Sequence, residues 1–249
     1  MTSTLMLVLS LVMVATAFLS GVFGMAGGLV LIGVLLALLP LPEAMALHAI
    51  TQMASNGWRG LLWWRYVRWR ATFPFLGGSV LALGIWTIWR WVPLAPVAML
   101  LLGVTPFLVR LVPPGLRPQP EDPVQGALYG AVCMTLMLLT GVSGPLLDTF
   151  FLGGGLDRRQ IVATKAVCQV FGHAVKLFYF STVIDQAASV DPVMALIAVA
   201  MSMLGTSLAR PVLDRLSDTQ YRVWATHIIT AIAGYDVVRG AWLLLRTSV

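Results

Sequence analysis

The chain has 249 residues, of which 59% are hydrophobic and only 10% charged, with a mean hydropathy of +0.88. Soluble domains carry about a quarter charged residues, so these proportions exclude a soluble protein and indicate an all-α polytopic membrane protein. The net charge of +6 is no nucleic-acid footprint: the arginines sit in short connections between apolar segments, where the positive-inside rule places them.

The start, MTSTLMLVLS, lacks a basic stretch and runs on into apolar sequence, so it reads as a membrane segment and not as a cleaved signal. Residues 4–39 are almost unbroken apolar sequence. A helix of that length would reach about 54 Å, against a hydrocarbon core of about 30 Å. It must break, and Gly21, Gly24, Gly27 and Gly28 mark the place. Residues 43–64 form the next span and end at Arg65, Arg68 and Arg70, interleaved with Trp63, Trp64, Tyr66 and Trp69, a basic loop with an aromatic belt. Spans follow at 72–91, closed by Arg90, and at 93–112. The stretch 113–123, PPGLRPQPEDP, is a proline-rich linker.

The second part repeats the plan. Residues 124–154 are apolar and broken at Gly141, Gly144 and Pro145. Spans follow at 159–181, 192–209 and 223–245, with an acidic connection at 182–191 and a basic one holding Arg210, Arg215 and Arg222. Cys133 and Cys168 lie inside apolar spans, which suits small packing residues better than a disulfide or a metal site. No metal or cofactor is expected.

Two spans carry polar stripes. In 157–180 the chain's two lysines, Lys165 and Lys176, align with Gln169 and His173 at i, i+4, i+8 and i+11; in 43–66, His48, Gln52, Asn56 and Arg59 repeat that spacing. Such residues fall on one helix face. Charges there cost a few kcal/mol each at the bilayer centre, so the stripes must face the bundle interior or a water-filled cavity. Aligned on Gln52 and Gln169, His48 matches Lys165, Ser55 matches Gly172, Asn56 matches His173, and Arg59 matches Lys176. Upstream, Leu-Ser-Gly-Val-Phe-Gly at 19–24 matches Leu-Thr-Gly-Val-Ser-Gly at 139–144. We read an internal duplication, with halves 1–112 and 124–249. The arginine-bearing loops and the linker go inside and the 182–191 loop outside. Each broken segment then becomes a helical hairpin that leaves and returns on one side, followed by three crossings, and the halves are inverted repeats. Eight spans with parallel halves is the alternative.

Together the stripes offer Lys165, Lys176, Arg59, His48 and His173, with Gln52, Gln169, Asn56, Ser55, Thr51 and Thr164 as neutral donors and no carboxylate. A buried cation needs an anion, and free amides at the glycine breaks favour negative charge. The site therefore suits a small anionic substrate. His48, His173 or Asp148 could carry a coupling proton, since histidine titrates near physiological pH. Asp148, just after the second break, either pairs with a stripe lysine or caps a helix. Asp236 is read as a local ion pair with Arg239, His227 as interhelical glue, and Arg59 as either a site residue or a snorkelling surface cation.

The Gly-Val-Phe-Gly-Met-Ala-Gly-Gly run at 21–28, Gly-Val-Ser-Gly-Pro at 141–145, the His48–Arg59 stripe and the Thr164-Lys165 pair resemble the sulfite exporter TauE/SafE family, over residues 10–245. The resemblance implies a bacterial inner-membrane permease with two repeated halves. It also implies a cargo such as sulfite, sulfoacetate or another organosulfonate, carried with protons. The chain departs from the pattern at Pro145-Leu146-Leu147-Asp148, where a glycine pair like Gly27-Gly28 is expected. Composition and stripes reach "anion"; only the resemblance reaches "sulfur". The residues leave the oligomeric state open, a homodimer included. The competing reading is a haem-binding redox subunit with His48 and His173 as axial ligands. An intramembrane hydrolase lacks a nucleophile–base pair, since Ser143 is not in a strand–turn–helix setting.

Overall fold

The structure, a computed structural model, describes residues 3–24, 26–39, 41–89, 95–111, 118–179 and 190–247. Arg90, most of the proline-rich linker and the 182–189 stretch with Asp185 lie outside them. All regular elements among the described residues are helical: α1 (Ser3–Phe23), α2 (Ala26–Leu38), α3 (Leu41–Leu62), α4 (Trp69–Trp89), α5 (Ala95–Arg110), α6 (Pro123–Thr140), α7 (Gly144–Gly153), α8 (Arg158–Phe178), α9 (Pro192–Arg215), α10 (Asp218–Thr247) and a 3-10 turn at Trp64–Tyr66. Five of them, α1, α4, α8, α9 and α10, are long and apolar enough to cross a membrane. Leu11, Phe73, Ile88, Leu196 and Val238 are exposed, while Arg59, Lys165 and Lys176 are buried. Apolar outside and charged inside is the distribution a bilayer demands.

The chain divides into two compact units, residues 1–67 with 158–221, and residues 68–157 with 222–249. Each therefore mixes segments from both sequence halves.

In the first unit the predicted break falls at Gly24, whose φ of 89° lies in the left-handed region that glycine enters at little cost. After it α2 folds back on α1: Leu9 and Met13 share a core with Leu31 and Leu35. Gly27 sits so close to α1 that a Cβ there would strike the Thr16 carbonyl. α1 also packs on α9 through small residues, with Gly21 against Ala209 and Gly205 against Val14 and Ala17. Such close backbone approach is how membrane helices associate without a hydrophobic driving force. Asp191 caps α9 by accepting from the Val193 amide at 2.8 Å, with Pro192 at its first position. At one end of the unit Arg158 donates to Asp218 (2.9 Å), and Arg159 donates to Asp214 (2.9 Å) and Tyr66 (3.2 Å).

In the second unit α6 starts at the Asp122 cap, which accepts from Gln125 N at 2.8 Å. It ends at Gly141, φ 78°. α7 then returns, so that Gly153 and Gly154 lie against Pro118 and Pro120, just before α6 begins. This is the predicted hairpin, with both ends together. α4 and α6 meet through Gly78 on Ala127 and Gly130 on Phe75. Ser79 Oγ donates to Phe75 O (2.9 Å) and lies 3.1 Å from Gly130 O. Arg68 binds Glu121 at 2.7 Å, and Arg222 donates to the carbonyls of Leu152, Gly154 and Leu156.

Two expectations fail here. Asp236 and Arg239 form no ion pair: Asp236 is buried, while the exposed Arg239 turns to Tyr235 OH at 2.6 Å. Three residues apart they are neighbours on α10, but Asp236 turns into the core and Arg239 out of it. His227 is exposed and makes no hydrogen bond among the described residues, so it glues no helix pair.

Candidate functional site

The two stripe helices, α3 and α8, belong to the same unit and pack together. His48, near the start of α3, meets Lys176, near the end of α8. Arg59, near the end of α3, lies within electrostatic reach of Lys165, near the start of α8. Between them Gly57 and Gly60 face Val170 and Val167. The pairings run in opposite directions, so the helices are antiparallel, and this register puts Asn56 level with Gln169. The two glycines let the backbones come close.

Every stripe residue is buried: His48, Gln52, Ser55, Asn56 and Arg59 on α3, and Lys165, Gln169, His173 and Lys176 on α8. Arg59 is 0% exposed, so it does not snorkel. The His48 contacts fix its tautomer. Nε2 lies 3.0 Å from the Gly28 carbonyl, which can only accept, so Nε2 carries the hydrogen. Nδ1 is then free to accept from Lys176 Nζ at 3.2 Å. The His173 ring stands edge-on to His48, with centroids 5.5 Å apart and planes at 71°. Arg59 donates from Nη1 to Gly24 O and from Nη2 to Ser55 Oγ, both at the long distance of 3.4 Å.

Among the described residues the hairpin break meets the stripe through the carbonyl oxygens of Gly24 and Gly28. Gly28 is small because Gln52 packs on it, and a methyl there would lie 3.1 Å from Gln52 Oε1. Thr51 is not an available donor, since its hydroxyl bonds Leu47 O in its own helix at 2.7 Å. Ser55 Oγ lies 2.9 Å from Thr206 Oγ1 on α9. Sequence reasoning passed over Thr206 and the buried Tyr221, which stands within electrostatic reach of Arg59. For Thr206 the signal was present in the small residues Ser202, Gly205 and Thr206 on one face of an apolar helix. Asp148 is buried near the start of α7 and belongs to the other unit.

Several buried atoms have no hydrogen-bond partner among the described residues: both ends of the Asn56 amide, Gln169 Oε1, His173 Nδ1 and Arg59 Nε. Buried polar groups are almost always paired, and this cluster on facing helices is the exception among the stripe residues. A haem does not fit. Axial ligation needs a free nitrogen from each ring with a flat porphyrin between them. Both His48 nitrogens are occupied, and the two rings lie edge to face with no such space.

These features define a class: an all-α, multi-pass membrane protein that buries cations and amides between antiparallel helices. The model of the sulfite exporter TauE/SafE family matches residues 9–235, and the chain belongs to that family. Comparisons with curated proteins and with solved structures gave no match. The family is one of membrane transporters, so the chain is a membrane transport protein.

Proposed function

We propose that the protein is a secondary transporter of a small sulfur-containing oxyanion or organosulfonate, such as sulfite or sulfoacetate. Its site is the α3–α8 group of His48, Gln52, Ser55, Asn56, Arg59, Lys165, Gln169, His173 and Lys176. The observation that carries this reading is Arg59. Its guanidinium is fully buried, and its hydrogen-bond partners are two neutral oxygens at 3.4 Å. A buried cation held so weakly is costly, and an anion on its Nε side would compensate it. The family name supplies the sulfur.

The cargo moves by alternating access in the bacterial inner membrane, with His48, His173 or Asp148 as candidate proton carriers. The protein is built from two inverted halves, 1–112 and 124–249. Three observations support that architecture. The equivalent helices α3 and α8 cross antiparallel, as an axis in the membrane plane requires and an axis along the normal forbids. Each half opens with a hairpin broken at a left-handed glycine. The first helix of each half packs on the fourth of the other, α1 on α9 and α6 on α4.

The test is thermal unfolding of the purified protein with sulfite, thiosulfate, sulfoacetate, taurine, phosphate or acetate. A ligand that binds only the folded state stabilises it by about 2.7 kcal/mol at a hundred times its Kd. Stabilisation by a sulfur anion that disappears in Arg59→Gln and Lys176→Gln is the expected result. A response unchanged in both variants would place the site elsewhere, and no response to any anion would remove the anion site.

A further inference from the structure

The partnerless atoms at the site are not all donors. Arg59 Nε and Asn56 Nδ2 offer hydrogens, but Asn56 Oδ1 and Gln169 Oε1 offer lone pairs. Asn56 is the firm case. Whichever way its amide is turned, one end is a carbonyl oxygen, and both ends are buried without a partner among the described residues. The register sets Gln169 level with it across the α3–α8 seam. An anion that has only acceptor oxygens would satisfy the donors and leave those carbonyl oxygens buried and dry. A buried polar group left without its bond costs about 1–3 kcal/mol. Sites built to bond a substrate hydrogen reject the analogue that lacks it for this reason.

We propose that the site prefers a sulfur oxyanion that brings its own O–H or N–H donor. A hydroxy- or amino-sulfonate, or singly protonated sulfite, would bind better than an acceptor-only anion of the same charge. The sulfur–oxygen head lies toward Arg59, and the donor hydrogen reaches Asn56 Oδ1 or Gln169 Oε1. This rests on the anion site proposed above and narrows it. Fully ionised sulfoacetate falls on the disfavoured side.

The experiment compares 2-hydroxyethanesulfonate with 1-propanesulfonate by thermal unfolding of the full-length protein. The two have equal charge and equal heavy-atom count and differ by a hydroxyl against a methyl. The hydroxyl compound should stabilise at a roughly tenfold lower concentration, equivalent to about 1.4 kcal/mol. The preference for the hydroxyl compound should vanish in Asn56→Leu or Gln169→Met, read as the ratio of the two compounds' potencies within each variant; the second variant serves if the first does not fold. Equal potency of the two compounds, or a preference that survives both substitutions, overturns the donor requirement and leaves the anion site standing. No shift with either compound or with sulfite overturns the anion site, and the donor requirement with it.

Discussion

The two hairpins turn alike and are secured differently. Both break at a glycine in the left-handed region, Gly24 at φ 89° and Gly141 at φ 78°. The first then runs through Gly27 and Gly28, which bring α2 against the α1 backbone and against Gln52, and its carbonyls receive Arg59 and His48. The second has Pro145-Leu146-Leu147-Asp148 at the corresponding place. It is held at its far end, where Arg222 takes three carbonyls and Pro118 and Pro120 cover Gly153 and Gly154. A bend is a local property of one residue. What the returning arm touches is decided by the side chains after it, so the same bend can face a polar cluster in one place and a structural clamp in another.

The comparison can be tested by substitution, each change read as the melting temperature of the purified protein. Gly27→Val should be the most damaging, because the new atoms meet backbone on α1. Overpacking of this kind costs about 3 kcal/mol, and a stable Gly27→Val protein would mean that α2 does not lie on α1. Arg222→Ala strips a guanidinium from the carbonyls of Leu152, Gly154 and Leu156. A loss of about 1.5–3 kcal/mol is expected for bonds to a charged group, with the response to anions unchanged. Gly24→Ala and Gly141→Ala should each cost about 1 kcal/mol, from strain at positive φ; a large difference between them would show that the bends are not equivalent. Gly28→Ala should have the smallest effect, a few tenths of a kcal/mol, since its methyl meets only the movable end of Gln52. The protein should instead show an altered anion response, because Gln52 must shift.

Much of this was legible in the sequence because it depends on local rules. Length against bilayer thickness forced the break in 4–39, and glycine named the residue. The shared spacing of His48–Arg59 and Lys165–Lys176 put two sets of polar side chains on two helix faces, and the cost of burying them brought those faces together. The Arg59 ambiguity was not legible, since a helix end near tryptophans looks the same whether its arginine turns in or out. Nor were the Gly24 and Gly28 carbonyls, because backbone acceptors carry no sequence signature. Asp236 and Arg239 misled because spacing alone permits a pair and does not require it. The division into units could not be read along the chain at all, since it depends on contacts between distant segments.

That division bears on how the protein is made. The unit that holds the polar stripes is not contiguous: α3 ends at Leu62, and α8, its partner, begins at Arg158. Chains grow at about 5–20 residues per second, so on the order of ten seconds separates the two. Throughout that interval the stripe of His48, Gln52, Asn56 and Arg59 has only the first hairpin beside it, at Gly24 and Gly28. The His48–Lys176 contact and the rest of the α3–α8 seam can form only once α8 has been made.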